Sequence, residues 1–221
     1  QNTKVTSGLV GLWSFDGPDM AGVTAYDRSG QGNHGTLTSG PTRVIGKLGQ
    51  ALSFDGTSSY VAVSGTNGIP SGQSARTVSF WMYQNTRNND ANSAIVDILK
   101  SSGQSFTVLL AVAGGTTYLF TDSVNGSNNI SLTGSQIPSL KAWHHVVFTF
   151  DGGSNWVYYL DGVNAKSGAF PVTINTDSAG THIGRKTSVA SGFHDGKLDD
   201  VRIYNRALAP AEVKLLYNSG K

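Results

Sequence analysis

The chain has 221 residues, of which only 14% are charged, and its 16 basic and 14 acidic side chains leave a net charge of +2. The charges are spread along the chain without a basic run, which excludes the electrostatic footprint of a nucleic-acid-binding protein. The lack of cysteine excludes disulfides, thiol catalysis and thiolate metal sites.

Alternating side chains predict a series of short β-strands. In segment 77–83, Val78, Phe80 and Met82 would share one face and Ser79, Trp81 and Tyr83 the other. Further β-rich runs separated by Gly, Asn, Asp and Ser lie at 106–111, 116–121, 143–150 and 156–160. Turn residues at this spacing, with abundant glycine, favour a β-sandwich.

One short helix is predicted at the end of the chain. Pro210 suits a first helical position, and an apolar stripe that includes Val213 and Leu216 follows before Gly220. No linker or low-complexity tract interrupts the sequence. We therefore expect one domain, residues 1–221, with an all-β, two-sheet antiparallel fold and a single short C-terminal helix.

An ordered set of motifs resembles the laminin-G-like, concanavalin A-like jelly-roll family of bacterial secreted proteins. These motifs are GLWSFD at 11–16, YDRSGQGNHG at 26–35, GQALSFDG at 49–56, WHHV at 143–146, YYLDG at 158–162 and FHDGKLDDVRIYNRAL at 193–208. The resemblance implies a jelly-roll sandwich in a secreted or cell-surface protein. Ala209 stands where the family usually has a helix-capping serine, so the last helix should be less well anchored.

The loop at residues 27–33 predicts a calcium site. It packs two side chains with oxygen ligands and two glycines into seven residues, and calcium takes six to eight oxygens from such loops. The resemblance implies a structural calcium that ties the N-terminal loop to the final strand, with the side chains of Asp16, Asp27, Asn33 and Asp199 as ligands. The alternative is that Asp16 and Asp27 cap turns through their own backbone.

Asp199 is assigned to the face of its strand that carries Val201 and Ile203. An inward carboxylate there would be costly without a partner. A bound cation, or Arg202 with backbone amides, would remove that cost.

Exposed aromatic and polar side chains are the candidates for a sugar site, because sugar rings stack on flat aromatics and planar polar groups bind hydroxyls. The predicted ligand-binding residues are Trp156, Trp81, Tyr83, Asn85, Arg87, Arg185 and His194. For Trp81 and Trp156 the alternative is burial in the core.

Catalysis is not expected. Jelly-roll glycosidases need paired carboxylates on a strand, and the single glutamate, Glu212, falls on the predicted terminal helix. His144 and His145 open a strand, where structural roles are usual in the family.

The resulting prediction is a non-catalytic, monomeric carbohydrate-binding module with structural calcium and a polysaccharide or glycan ligand. It predicts no nucleic-acid or membrane partner. The alternatives are an adhesion domain that binds a protein, and a polysaccharide lyase or hydrolase.

Overall fold

The computed structural model describes residues 5–86, 94–99, 105–113, 116–120, 129–171, 173–174, 176–177, 179–186 and 192–221. Its strands are β1 (Leu9–Trp13), β2 (Met20–Ala21), β3 (Thr24–Ala25), β4 (Gly35–Thr38), β5 (Thr42–Ile45), β6 (Gln50–Asp55), β7 (Tyr60–Val63), β8 (Arg76–Gln84), β9 (Ala94–Leu99), β10 (Ser105–Ala113), β11 (Thr116–Phe120), β12 (Asn129–Leu132), β13 (Trp143–Phe150), β14 (Asn155–Leu160), β15 (Val163–Ala169), β16 (Thr181–Ile183) and β17 (Asp195–Tyr204). Two 3-10 turns (Gly17–Asp19 and Gly134–Gln136) and the helix α1 (Pro210–Asn218) complete the described elements.

The strands form two antiparallel sheets. In sheet A the order is β15-β14-β13-β8-β17-β6-β5, and β1 also pairs with β17. In sheet B the order within the described residues is β12-β11-β10-β9-β16-β7-β4-β3-β2. The fold is therefore the predicted two-sheet sandwich with a short C-terminal helix.

The core lies between the sheets and follows the predicted alternation. Val78, Phe80 and Met82 of β8 are fully buried in it, and Val146 and Phe148 of β13 lie beside them. Because alternate residues of a strand point to opposite faces, the residues between these face away from the core.

Helix α1 covers part of the outer face of sheet A. Its Val213 and Leu216 pack in a second apolar cluster with Val147, Tyr159 and Tyr204 of the sheet. None of the helices in the described part of the chain has the length and apolar character needed to span a bilayer.

A β-bulge in β17 changes the predicted side of Asp199. The register slips between Asp199 and Arg202, and Asp200 takes a left-handed backbone (φ 49°). Asp199 therefore lies opposite Trp81, on the outer face of sheet A, whereas Val201 and Ile203 face the core. The expectation that Asp199 shares their face is wrong, because one extra residue reverses the alternation.

Candidate functional site

Four side chains form a cluster on the outer face of sheet B. Val61 and Val63 of β7 and Ile183 of β16 are in the core. Strand alternation therefore turns Tyr60 and His182 outward, where both are partly exposed. Arg185 and Phe193 follow β16 and are also partly exposed. We refer to Tyr60, His182, Arg185 and Phe193 as the Tyr60 cluster.

The rings of the cluster lie in contact around one guanidinium. The Tyr60 and His182 ring centroids are 5.0 Å apart, and the Tyr60 and Phe193 centroids are 6.4 Å apart. The guanidinium carbon of Arg185 lies 4.8 Å from the Tyr60 ring centroid and 5.3 Å from that of Phe193. These distances are those of cation–π contacts, so each ring helps to hold the arginine in place.

The local chain path depends on Gly184. Its N–H donates to the carbonyl of Ile95 and its carbonyl accepts the N–H of His194, while Arg185 and Phe193 form an antiparallel bridge. Gly184 has a left-handed backbone (φ 85°), and a Cβ there would lie 2.7 Å from the Phe54 ring. Only glycine fits this position without displacing its neighbours, and the turn brings Phe193 beside Arg185.

The charge of the cluster resides on Arg185. Burial lowers the pKa of His182 and the positive charge of Arg185 lowers it further, while Asp97 opposes the shift. Asp97 is buried next to β16 and accepts the hydroxyl of Thr107 at 2.6 Å. His182 is therefore mainly neutral near pH 7, and the face offers aromatic rings beside a cationic hydrogen-bond donor.

Trp156, predicted to be exposed, is a core residue. It is 7% exposed, and its ring lies 6.1 Å from that of Phe148 and 5.9 Å from that of Phe170. The glycine-rich turn before β14 ends one residue earlier, and alternation along the strand turns Trp156 inward with Tyr158. The exposed-aromatic prediction for Trp156 is wrong.

Trp81 points outward from sheet A and is nevertheless only 2% exposed. The ring of Tyr217 from α1 stacks on it at 5.8 Å, and Lys47 Nζ lies 5.1 Å from its centroid. Tyr83, two residues on, is partly exposed and makes an edge contact with Trp143. Of these two predicted ligand residues, Tyr83 is the one left accessible.

The other predicted ligand residues are dispersed. His194 is fully buried, which lowers its pKa to about 4 and removes it from any surface site. Asn85 is partly buried and donates to the carboxylate of Asp195. Arg87 lies outside the described residues. Arg185 is the predicted ligand residue that the fold places in the Tyr60 cluster.

Sequence reasoning missed Tyr60, His182 and Phe193. The sequence did indicate that Tyr60 and His182 face outward. In the segments Y-V-A-V and T-H-I, apolar residues alternate with other residues, and Tyr60 and His182 fall on the side opposite the valines and the isoleucine. No pattern within either segment indicates that they meet.

Two predicted calcium ligands, Asp27 and Asn33, form a hydrogen-bonded turn. One Asp27 carboxylate oxygen accepts the N–H groups of Leu12 and Ser29, and the other accepts the Ser29 hydroxyl and the Asn33 N–H. The Asn33 amide oxygen accepts the N–H of Asn67. A carboxylate has about four lone-pair positions, so these groups are already occupied, as the turn-capping alternative expects.

Asp16 and Asp199 meet at the loop between β5 and β6. One Asp199 oxygen accepts the N–H groups of Lys47 and Leu48, both at 2.8 Å, and Asp16 accepts the N–H of Gln50 at 2.8 Å. The second Asp199 oxygen is buried without a hydrogen-bond partner. An orphaned carboxylate oxygen is costly to bury, and a cation would satisfy it.

The surroundings of this pair also fit a cation. Burial raises the pKa of Asp199 to about 7, the Lys47 and Leu48 N–H groups oppose the shift, and the charges of Asp200 and Asp16 add to it. A Cβ on Gly46 would lie 2.6 Å from Asp199 and one on Gly49 2.1 Å from Asp16.

The glycine loop thus lets both carboxylates approach the backbone closely, where they accept the N–H groups of Lys47, Leu48 and Gln50. In the described part of the chain, no three His, Cys, Asp or Glu side chains form a metal-binding group. Backbone carbonyls would therefore have to supply further ligands at this pair.

His144 links two turns. Its Nδ1 is 2.8 Å from Asp161, and its Nε2 accepts the backbone N–H of Ser139 at 3.1 Å and lies 2.8 Å from the Ser139 hydroxyl. Asp161 also accepts the N–H of His145. Because Nε2 is an acceptor for a backbone group, the contacts tie the turn before β13 to the hairpin after β14, as expected of a structural histidine.

Glu212, the single glutamate, forms an ion pair with Arg206 on α1's first turn. Its carboxylate also accepts the N–H of Ala209.

Solved structures with this fold include a domain of a larger enzyme and binding domains of two toxins. Domain 4 of AbnA, an extracellular GH43 arabinanase from Geobacillus stearothermophilus solved with arabinotriose, matches with a TM-score of 0.74 and 23% identity over 96% of this chain and 98% of that one. The binding domain of Paraclostridial Mosquitocidal Protein 1 matches with a TM-score of 0.74 and 20% identity, covering 98% of this chain. The receptor binding domain of botulinum neurotoxin D matches with a TM-score of 0.69 and 15% identity, again over 98%.

The chain spans only 53% and 54% of the two toxin domains, whereas it spans nearly all of the arabinanase domain. No curated protein is significantly similar in sequence. The sequence model of Laminin_G_3, described as the concanavalin A-like lectin/glucanases superfamily, matches residues 55–214. The match covers most of the chain, and the jelly-roll sandwich agrees with it, so this protein belongs to the concanavalin A-like lectin/glucanases superfamily.

Proposed function

We propose that this domain is a non-catalytic carbohydrate-binding module whose glycan ligand lies on the Tyr60 cluster. The observation that carries the proposal is the Arg185 guanidinium in contact with two partly exposed aromatic rings on the outer face of sheet B. Rings of Tyr60 and Phe193 can stack against sugar C–H faces, and the arginine can donate to hydroxyls.

The fold relatives support this role. The arabinanase domain 4, which this chain matches over nearly its full length, was solved with arabinotriose. That arabinanase is extracellular, and we extend the same location, secreted or at the cell surface, to this protein as part of the proposal.

The test is binding to a panel of polysaccharides, including arabinan, by affinity electrophoresis and isothermal titration calorimetry. We expect at least one polysaccharide to retard the domain, and Tyr60→Ala to weaken that binding about 2- to 10-fold, since aromatic contacts contribute about 0.5–1.5 kcal/mol beyond their buried area. Incubation with the bound polysaccharide should release no reducing ends or unsaturated products.

Tyr83→Ala is the matched control. It removes a partly exposed tyrosine from the outer face of sheet A, which the sequence also indicated as a ligand face. If Tyr83→Ala abolishes binding and Tyr60→Ala does not, the ligand binds sheet A and the proposed site is wrong. Released sugar products would contradict the non-catalytic role.

Recognition of a protein receptor is the second candidate function. It is favoured by the toxin receptor binding domains that share this fold over 98% of the chain. A folded domain that binds no polysaccharide in the panel would reject glycan binding and favour this function.

We also propose that a structural calcium ion binds between Asp16 and Asp199. The buried Asp199 oxygen without a partner and the close approach of the 46–49 loop support it. Asp27 and Asn33 are left out of the proposed ligand set because their oxygens already accept N–H and O–H donors. The ion would neutralise the paired carboxylates and fix the loop between β5 and β6.

A further inference from the structure

Arg185 differs from the other arginines that the structure describes, all of which donate to oxygen acceptors; for Arg43 and Arg76 these are backbone carbonyls and the Thr176 hydroxyl. Arg28, Arg202 and Arg206 each form an ion pair, with Asp19, Asp200 and Glu212 respectively. In the described part of the chain, no carboxylate pairs with Arg185, and its Nε–H is buried without an acceptor.

Asp97 is an acidic residue of sheet B that lies opposite His182 of the cluster. It is fully buried and accepts the Thr107 hydroxyl. The buried Nε–H of Arg185 without an acceptor is unfavourable, because a lost charged hydrogen bond is costly. The Tyr60 and Phe193 rings contact the guanidinium through their π faces, and such contacts leave its N–H groups without a hydrogen-bond acceptor.

We infer that the glycan bound at the Tyr60 cluster is acidic and that a uronic acid carboxylate pairs with Arg185. The two terminal NH2 groups of a guanidinium present their N–H donors in a planar fork that matches the two oxygens of a carboxylate. The rings that flank Arg185 would contact the same sugar, whose flat C–H face lies next to its carboxylate. This inference rests on the proposed function and defines the ligand class for that site.

The experiment compares uronic acid polysaccharides with their own carboxyl-reduced forms. Polygalacturonate, alginate, hyaluronan and glucuronoxylan are tested beside carboxyl-reduced samples and the neutral polymers arabinan, galactan and xylan. We expect one or more uronate polymers to bind and their reduced forms to bind at least 10-fold more weakly. Added salt should weaken binding, because the pair is ionic.

Arg185→Gln is the decisive variant, since it keeps a planar amide and removes the charge. We expect a loss of about 10- to 100-fold in affinity for the uronate polymer, as for a hydrogen bond to a charged group. Arg185→Lys should retain part of the affinity, because it keeps the charge and loses the fork. The melting temperatures of both variants are measured to test whether the fold is intact.

The outcomes separate the two proposals. Binding to neutral polymers that Arg185→Gln leaves unchanged would overturn the acidic ligand and leave the carbohydrate-binding role standing. Equal binding of native and carboxyl-reduced polymer would do the same. A folded domain that binds none of the polymers would reject both.

Discussion

His145 shows how a single residue couples this fold to pH. It lies on the outer face of sheet A beneath α1, with its ring 5.0 Å from that of Trp81 and its Nε2 3.0 Å from the Ser79 hydroxyl. Burial lowers its pKa to about 3, and the charge of Arg202 lowers it further while Asp161 opposes the shift. The folded protein therefore holds this histidine neutral in mildly acidic solution.

Stability should fall as the pH is lowered from 6.5 to 4.5. In that range an unfolded histidine, with a pKa near 6.5, binds a proton that buried His145 does not, so protons favour the unfolded state. Each such histidine contributes about 1.4 kcal/mol per pH unit once the unfolded histidine is protonated. We expect His145→Gln to reduce the slope of the unfolding free energy against pH by about 1.4 kcal/mol per pH unit, which corresponds to one proton. The unfolding free energy is measured by urea denaturation.

His194, also buried with a lowered pKa, should provide the remaining slope in that variant. Asp199, whose pKa is raised to about 7 by burial, binds a proton in the folded state within the same window and opposes the slope, but it does so equally in the wild type and in His145→Gln. Equal slopes for the wild type and His145→Gln would contradict the prediction.

At the scale of one element, the N-terminus of helix α1 has only one of the two hydrogen bonds of a capping box. The carboxylate of Glu212 accepts the N–H of Ala209 at 2.9 Å and pairs with Arg206 at 2.6 Å. The reciprocal bond, from an N-cap side chain to the first-turn backbone, is missing because Ala209 has no oxygen. The predicted helix start at Pro210 is confirmed, together with the incomplete cap.

Ala209→Ser should stabilise the protein. A serine hydroxyl at the N-cap can accept a first-turn N–H group, which contributes about 1 kcal/mol. In a chain of this size that corresponds to a rise in melting temperature of about 2–4 °C, measurable by calorimetry. Ala211→Ser, an exposed position inside the same helix, is the control and should give no gain. A variant no more stable than this control would show that Glu212 alone suffices.

At the scale of the whole molecule, the two ends of the chain meet in sheet A. Strand β17 pairs with β6 through residues up to Leu198 and with β1 from Val201 onward, and the bulge lies between these two segments. Asp199 of this bulge and Asp16, just after β1, contact the same loop at 46–49. A cation there would join three distant parts of the sequence.

Removal of calcium should therefore lower the melting temperature of the entire domain. An ion that binds only the folded state adds about 2.7 kcal/mol at 100 times its dissociation constant, which corresponds to roughly 5–10 °C here. We expect calcium to restore the melting temperature after chelation, and Asp199→Asn to abolish this response.

Asp27→Asn is the control for the calcium measurement. It lowers the starting stability by weakening the turn at 27–33 but should keep the response to calcium. The response of the melting temperature, and not its absolute value, is the readout. Identical melting curves with chelator and with calcium would reject the site. If Asp27→Asn loses the response to calcium and Asp199→Asn keeps it, calcium binds in the 27–33 loop.

The fold was predictable because its signals are local. Alternation in β8 and β13, turn residues between strands and Pro210 each act within a few residues, and the structure confirms them. The ligand residues were harder to predict, because the sequence does not show which outward-facing side chains another element covers. Trp81 faces outward and is nevertheless covered by Tyr217 of α1.

The sequence by itself determined the sandwich, the C-terminal helix and the alternation that separates core from surface, since these follow from side-chain periodicity and turn chemistry. Only the tertiary structure decided the site. Tyr60, His182 and Phe193 come from separate segments and meet around Arg185 through strand pairing and the turn at Gly184. It likewise decided that Asp199 faces outward toward Asp16, because a bulge moves a side chain to the opposite face without leaving a periodic signal.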